Sequence, residues 1–371
     1  MPFTPVQTFF GGLLMHVSSV GLLMGTGRVM GASGIMDGAI LGDHAKWRWA
    51  FLTGMVLAPA VVAATGLESI LPGNGAELYG AAPLARMALS GALIGFGAKL
   101  GSGCTSGHFL CGSSRLSPRS LVAVITFMMS AVATAKLVPA KYLVDPLPAN
   151  IPVYPPAWAL PALGGLVLAA IFARNAINAI LPKACTPTPA TTNGDSNGVQ
   201  NGNGQAGECK YTPAQLLPYF VSGLTFSLGL IASGMVSPLK VIGFLRVPPP
   251  LNTWDPSLTM VVAGAVIPNM IHWFSLKKAS GDSPKPIFSW EKWQVPTRRD
   301  ITPRLVIGAL IFGMGWGLGG ICPGPGIVTG GQLAMDALRG EDVSRAAIGW
   351  ASYIVNITLG FAAARLVEKA L

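Results

Sequence analysis

Gly95-Phe-Gly97-Ala-Lys99-Leu-Gly101-Ser-Gly103-Cys104-Thr-Ser-Gly107 and Gly313-Met-Gly315-Trp-Gly317-Leu-Gly319-Gly320-Ile-Cys322-Pro-Gly324-Pro325 carry one pattern twice. Cys104 and Cys322 stand 218 positions apart, and so do the pairs Gly95/Gly313, Gly97/Gly315 and Gly101/Gly319. Each cysteine also lies 18 residues after an arginine, Arg86 or Arg304, that opens an apolar run. A glycine-rich run ending in a single thiol, repeated in a membrane-like sequence, points to two half-sites meeting on a pore axis. The plainer reading is two small residues buried by packing; duplication at one offset favours the pore.

The composition sets the medium. Of 371 residues, 51% are hydrophobic and 11% charged, and the mean hydropathy is +0.54. Soluble domains carry about 25% charged residues, so a water-soluble globule is excluded. Apolar runs near membrane-spanning length predict helices over roughly 8–26, 48–66, 84–102, 119–139 and 157–180, and again over 214–236, 257–275, 303–321 and 344–368. The expected fold is therefore an all-α polytopic membrane protein of about 9–10 membrane segments. With 47 Gly and 30 Pro, it should contain broken or re-entrant helices, which survive in a bilayer only where protein buries them or they line a cavity. The run Phe9–Met24 follows no Lys or Arg and reads as the first span rather than a cleavable signal peptide.

The net charge of +10 fits basic loops on the cytoplasmic side and, alternatively, attraction of an anionic substrate to the mouth. The charges are scattered singly or in pairs, which gives no nucleic-acid-binding patch. Trp47, Trp49, Trp254, Trp273 and Trp350 are expected at membrane interfaces.

Residues 183–212 are rich in Thr, Pro, Asn and Gly and read as a flexible linker between a first transport repeat, 1–182, and a second, 213–371. The duplication extends beyond the cysteine segments. Arg28-Val-Met-Gly31 aligns with Lys240-Val-Ile-Gly243, and Phe51–Pro59 with Met260–Pro268, at offsets of 212 and 209. Internal repeats are the usual construction of transporters, with the binding site near mid-membrane at their interface. A second break is expected in each half, around Gly25–Gly38 with Ser33, and around Ser233–Lys240.

Each repeated cysteine precedes a new helix start, Thr-Ser-Gly107-His108 or Pro-Gly324-Pro-Gly. A break there aims backbone N–H groups inward, toward an anion. The thiol adds a soft, weak donor. Cys111 lies seven residues beyond Cys104, about two α-helical turns, so both thiols could face one path. Cys185 and Cys209 fall in the linker and are read as incidental. Cys104 and His108 have i, i+4 spacing, but no second His or Cys-x-x-Cys completes a tetrahedral site, so no metal is expected. Lys99 is a charge deep in an apolar run and thus a site candidate; Asp37 is the only carboxylate in a broken segment. Arg86 and Arg304 are expected to snorkel to the interface.

Leu100–Ser120, with Gly-Ser-Gly-Cys104-Thr-Ser-Gly-His108-Phe-Leu-Cys111-Gly-Ser-Ser-Arg-Leu-Ser-Pro-Arg119, resembles the signature of the YeeE/YedE sulfur-transport family. Ser233–Leu245 and Gly315–Gly326 resemble the partner subunit of the two-component bacterial version, as if both subunits were fused through the linker. The resemblance implies an hourglass-shaped plasma-membrane protein that imports thiosulfate or a related sulfur anion along a row of cysteine thiols. It places Cys104 and Cys322 in that row; from the residues themselves, Gly101, Gly103, Gly107, Gly319, Gly320 and Gly324 are expected to shape the breaks, with His108, Lys99, Cys111 and Ser33 beside the path. No enzyme activity or cofactor is implied; a soluble sulfur-carrier protein is a further expected partner. Single-chain thiosulfate importers use another cysteine in the first broken segment, where this chain has Ser33 and Met36. That departure leaves the sulfur compound open. The rival reading is a membrane-embedded thiol redox or sulfurtransfer protein.

Overall fold

The computed structural model describes residues 3–71, 76–138, 151–181, 212–247, 254–281 and 284–370. The linker expected over 183–212 lies, Thr212 apart, outside the described residues, as do Cys185 and Cys209. Regular structure among the described residues is helical, save one isolated bridge between Phe3 and Pro152.

All nine apolar runs form helices. The first five are α1 (Pro5–Thr26), α3 (Lys46–Thr65), α5 (Leu84–Leu100), α6 (Pro118–Ala135) and α7 (Ala159–Ile180), with the short α2 (Ala32–Ile40) and α4 (Ala76–Ala81) between them. Next come α8 (Pro213–Ala232) and α9 (Pro238–Leu245). A rod then runs from Pro256 to Ser280; it comprises α10 (Thr259–Val261), a π-helical turn (Val262–Val266) and α11 (Ile267–Ser280). The last are α12 (Pro303–Gly319), α13 (Pro323–Leu338) and α14 (Ser344–Ala370). Among the described residues eight stretches are long and apolar enough to cross a membrane, with α12 and α13 forming one of them. The ninth, α5, has 17 residues, about 26 Å at 1.5 Å per residue. Hydrocarbon is about 30 Å thick, so α5 ends, at Gly101, just short of a full crossing.

The helix ends follow from local chemistry. Proline opens α1, α6, α8, α9, α12 and α13, where its missing N–H is no loss. Thr212 and Gln215 form a reciprocal capping box on α8. Outward faces are apolar: Ile125, Met129, Leu168, Phe172 and Ile271 are exposed, Phe172 by 74%. In water such a surface would drive aggregation; in a bilayer it meets lipid.

The helix contacts come in matching pairs. α1 packs on α8; α3 also packs on α8, as the Val262–Val266 turn does on α1. α5 packs on α12, with α14 against α5 and α6 against α12. The short α2 touches α5 and α14, while α9 touches α12 and α6. α7 lies against α1 and α8. The glycines equivalent in sequence make equivalent approaches. Gly95 faces the Ile357 carbonyl of α14, and Gly313 the Phe127 carbonyl of α6. A Cβ on Gly97 would come within 2.7 Å of Phe312 Cα, and one on Gly315 within 2.9 Å of the Ile94 nitrogen. No side chain fits at these crossings.

Two of the interface expectations need revision. Trp47 is buried, 5% exposed, with the Arg28 and Arg48 guanidinium groups 4.3 Å and 4.6 Å from its ring centre. Arg86 turns inward, its Nε donating to the Leu318 carbonyl at 2.9 Å, because the end of α12 leaves that acceptor unpaired.

Gly95→Ala and Gly313→Ala should each destabilise the protein by at least about 1–3 kcal/mol. Gly34→Ala, with open space around it, should be neutral or stabilising by up to about 1 kcal/mol. SDS-induced unfolding of the purified protein measures all three; equal stability would deny the close approaches.

Candidate substrate site at the two helix breaks

α5 and α12 both stop inside the protein. At the end of α5, Gly101 N–H bonds to Gly97 O and Gly103 N–H to Ala98 O, both at 2.8 Å. The turn holds Ser102 at φ +62, a conformation non-glycine residues rarely adopt. A Cβ on Gly103 would meet the His108 ring at 2.9 Å, so glycine is required there. At the end of α12, Gly320 takes φ +68 and closes the helix onto Trp316 O at 2.7 Å.

After each break the chain begins a new helix on its cysteine. The Cys104 carbonyl accepts from His108 N–H at 2.9 Å, and the Cys322 carbonyl from Gly326 N–H at 3.0 Å. Cys322 is the extended N-cap of α13 with Pro323 following. Both thiols thus sit at helix N-terminal ends, the positive pole of the helix dipole; of the first three residues of α13 only Gly324 has an N–H, since Pro323 and Pro325 have none.

The two cysteines line one narrow cavity of about 40 Å³ together with Thr105, Ser106, Met15, Met235, Phe226, Leu230, Gly324 and Pro325. Cys104 Sγ lies 3.3 Å from Ser106 Oγ, and Cys322 Sγ 3.2 Å from Thr105 Oγ1. Ser106 Oγ also accepts from Ala32 N–H at 2.9 Å, tying the start of α2 to the site. Both thiols are buried, 1% and 5% exposed, and neither is in a disulfide. No ionisable group other than the two thiols lines this cavity.

A wider cavity of about 470 Å³ adjoins the break of α5. Ser33, Gly103, Gly107, His108 and Lys99 line it, with Arg115, Arg119 and Arg298 against only two carboxylates, Asp37 and Glu368. Lys99 Nζ sits 3.1 Å from Asp37 and 3.9 Å from Glu368, and Arg365 also reaches Asp37 at 2.9 Å. Lys99 therefore shares Asp37 with Arg365 rather than standing as an isolated charge. His108 is held at both nitrogens, by Gly101 O and Ser120 Oγ at 3.1 Å each; the carbonyl fixes Nε2 as the protonated nitrogen. On the rim, hydrogen bonds from Arg298 hold the Asp300 carboxyl below the usual carboxylate range.

The remaining predicted residues separate. Gly101 abuts Gly308 and Ala309, Gly319 abuts Ser90 Oγ, and Gly320 abuts the Pro238 carbonyl. Cys111 lines a different cavity from Cys104. Ser106–Gly112 is π-helical, and i→i+5 bonding takes more residues per turn than an α-helix, so seven positions no longer return a side chain to the same face. Met15, Met235, Thr105, Ser106 and Arg115 join the two cavities without a motif of their own. Thr105 and Ser106 directly follow Cys104 in sequence, but nothing local marks Met15 or Met235.

The arrangement is that of a polytopic membrane protein with two buried thiols on one cavity, and the proteins it is similar to are described as transporters. Residues 4–134 match the family described as Sulphur transport, and residues 214–338 match a family of unknown function (DUF6691). Two proteins of Xylella fastidiosa strain Temecula1, each described as a probable transporter, are similar. One is 37% identical over 125 residues, 34% of this chain and 88% of its own length; the other is 35% identical over 122 residues, 32% of this chain and 76% of its own. A probable transporter of strain 9a5c is likewise 37% identical over 125 residues, 34% of this chain and 88% of its own length. The chain belongs to the sulphur-transport family and is an integral, multi-pass membrane protein.

Asp37→Asn should destabilise the protein by about 2 kcal/mol, because Lys99 and Arg365 then lose their shared counter-charge. Asp43→Asn, which breaks a pair with an exposed carboxylate, should cost less than about 1 kcal/mol. Thermal unfolding in detergent compares them, and equal losses would contradict the assignment.

Proposed function

We propose that this protein carries a small sulfur-containing anion of the thiosulfate type across the plasma membrane, handing it between Cys104 and Cys322 in the narrow cavity. The carrying observation is that both thiols sit at helix N-terminal ends and line one cavity free of other ionisable groups. The backbone N–H ends supply positive potential without a fixed cation that would trap the ion. The thiols and thioethers supply polarizable contacts for a sulfane sulfur. An S–H donates weakly, which suits passage better than tight binding.

Wider cavities on either side support an hourglass path. One is the 470 Å³ basic vestibule; the other, about 280 Å³, is lined by Glu68, Gln332, Asp336, Arg339 and Glu341. The family matches fall on either side of residues 183–212, which supports two transport units, 1–182 and 213–371, joined by that linker. A soluble sulfur-carrier protein is the partner this reading calls for. Redox or sulfurtransfer chemistry is less well supported, since the hydrogen bonds of both thiols go to hydroxyls rather than to a base.

Uptake of radiolabelled thiosulfate by a host lacking its own importer tests the reading. Cys104→Ala and Cys322→Ala should each lower uptake by at least about tenfold, the loss of one contact worth about 1.4 kcal/mol in the rate-limiting passage. Undiminished uptake by both variants, at equal membrane abundance, would remove the relay.

A further inference from the structure

The short helix α2 stands between the two cavities of the site. Ala32 at its start lines the narrow cysteine cavity, whereas Ser33, Gly34 and Asp37 line the 470 Å³ vestibule. A Cβ on Gly31 or on Gly34 would meet open space, so this end of the partition is not tightly packed. Polar ties hold it in place. Ala32 N–H donates to Ser106 Oγ and Arg48 Nη1 to the Gly34 carbonyl, both at 2.9 Å, and Asp37 is gripped from two other helices.

The grip on Asp37 has the form of an oxyanion site. Arg365 donates from Nε to Oδ1 and from Nη2 to Oδ2, both at 2.9 Å, and Lys99 Nζ adds a third bond to Oδ2 at 3.1 Å. A guanidinium fork matches two oxygens of a sulfur or phosphorus oxyanion as well as those of a carboxylate. Two cations thus share one carboxylate, and that carboxylate belongs to the partition itself. Among the described residues, Glu368, 3.9 Å from Lys99, is the other carboxylate within ion-pair distance of either cation. Lys99 and Asp37 both face the vestibule, so an incoming ion can reach the bridge. Asp37, once displaced, stays in a wide polar cavity whose wall also carries Arg115, Arg119 and Arg298. A carboxylate released there costs less than one left unpaired in a dry interior.

We propose that Lys99 and Arg365 form a site for a divalent oxyanion of the sulfate or thiosulfate class, which Asp37 occupies as an internal stand-in, and that an arriving oxyanion displaces Asp37 and frees α2 to open the vestibule to the cysteine cavity. The dianion competes because it brings two charges to the two cations where Asp37 brings one. The site does not rest on the cysteine relay; Cys104 serves below only as a reporter of access to the narrow cavity.

Sulfate is the probe, because it does not consume an alkylating label. Purified full-length protein is treated with iodoacetamide in sodium sulfate or in sodium chloride of equal ionic strength, and alkylation of Cys104 and Cys111 is followed by peptide mass spectrometry. Sulfate should raise the rate at Cys104 several-fold and leave Cys111, which lines a different cavity, unchanged. Lys99→Gln and Arg365→Gln should each abolish most of that response, and Lys99→Arg should keep it. Asp37→Asn should label quickly in chloride and respond little further to sulfate. An equal rate at Cys104 in the two salts would overturn the proposal. So would a sulfate response that survives in Lys99→Gln and Arg365→Gln, or one that Cys111 shares in full. Should one of these two variants not fold, the other decides. Undiminished uptake by the cysteine variants removes the relay alone; equal labelling in the two salts removes this site alone.

Discussion

A helix that stops inside a bilayer leaves backbone groups that lipid cannot satisfy, and this chain stops two, α5 and α12, and brings the cysteines that follow them to one cavity. α5 and α12 pack antiparallel, Gly101 against Gly308 and Gly319 against Ser90, because Gly97, Gly101, Gly308 and Gly315 remove the side chains between them. The outer helices α14 and α6 close against the same pair through Gly95 and Gly313. The segments that follow the two ends enclose a cavity shaped by Cys104, Cys322 and the hydroxyls beside them.

Charge and softness are kept apart. The vestibule holds Arg115, Arg119, Arg298 and Lys99, partly offset by Asp37 and Glu368, so it carries an excess of positive charge. The constriction has helix ends and sulfur atoms but no fixed cation. A lysine there would bind an anion strongly at low dielectric and slow its release. In the proposed relay, partial charges of the helix ends would lower the barrier without creating a deep well, the balance that conduction requires. A doubly charged ion such as sulfate would gain little from the thioethers of Met15 and Met235, whereas a sulfane sulfur would gain more.

Much of this was legible in the sequence, and for a physical reason. Spans show as apolar runs because lipid demands them, and the breaks show as glycine because no other residue permits those crossings. The shared offset of 218 between Gly95/Gly313 and Cys104/Cys322 corresponds to paired contacts in space. The unread features depend on distant partners or on local winding. Lys99 looked like an isolated charge because Arg365, its competitor for Asp37, lies 266 positions away. Trp47 looked interfacial because nothing local shows Arg28, Arg48 and Tyr219 around it. Cys111 fitted the Cys104 face only under α-helical spacing, and the π turn moved it to another cavity.

The central claim is that the space between the two cysteines holds the sulfur anion. A high-resolution structure of the wild-type protein prepared with thiosulfate tests it most directly. Ordered density in contact with both Cys104 Sγ and Cys322 Sγ is the predicted result. Density confined to the basic vestibule, with the cysteine cavity closed by Met15 and Met235, would contradict it.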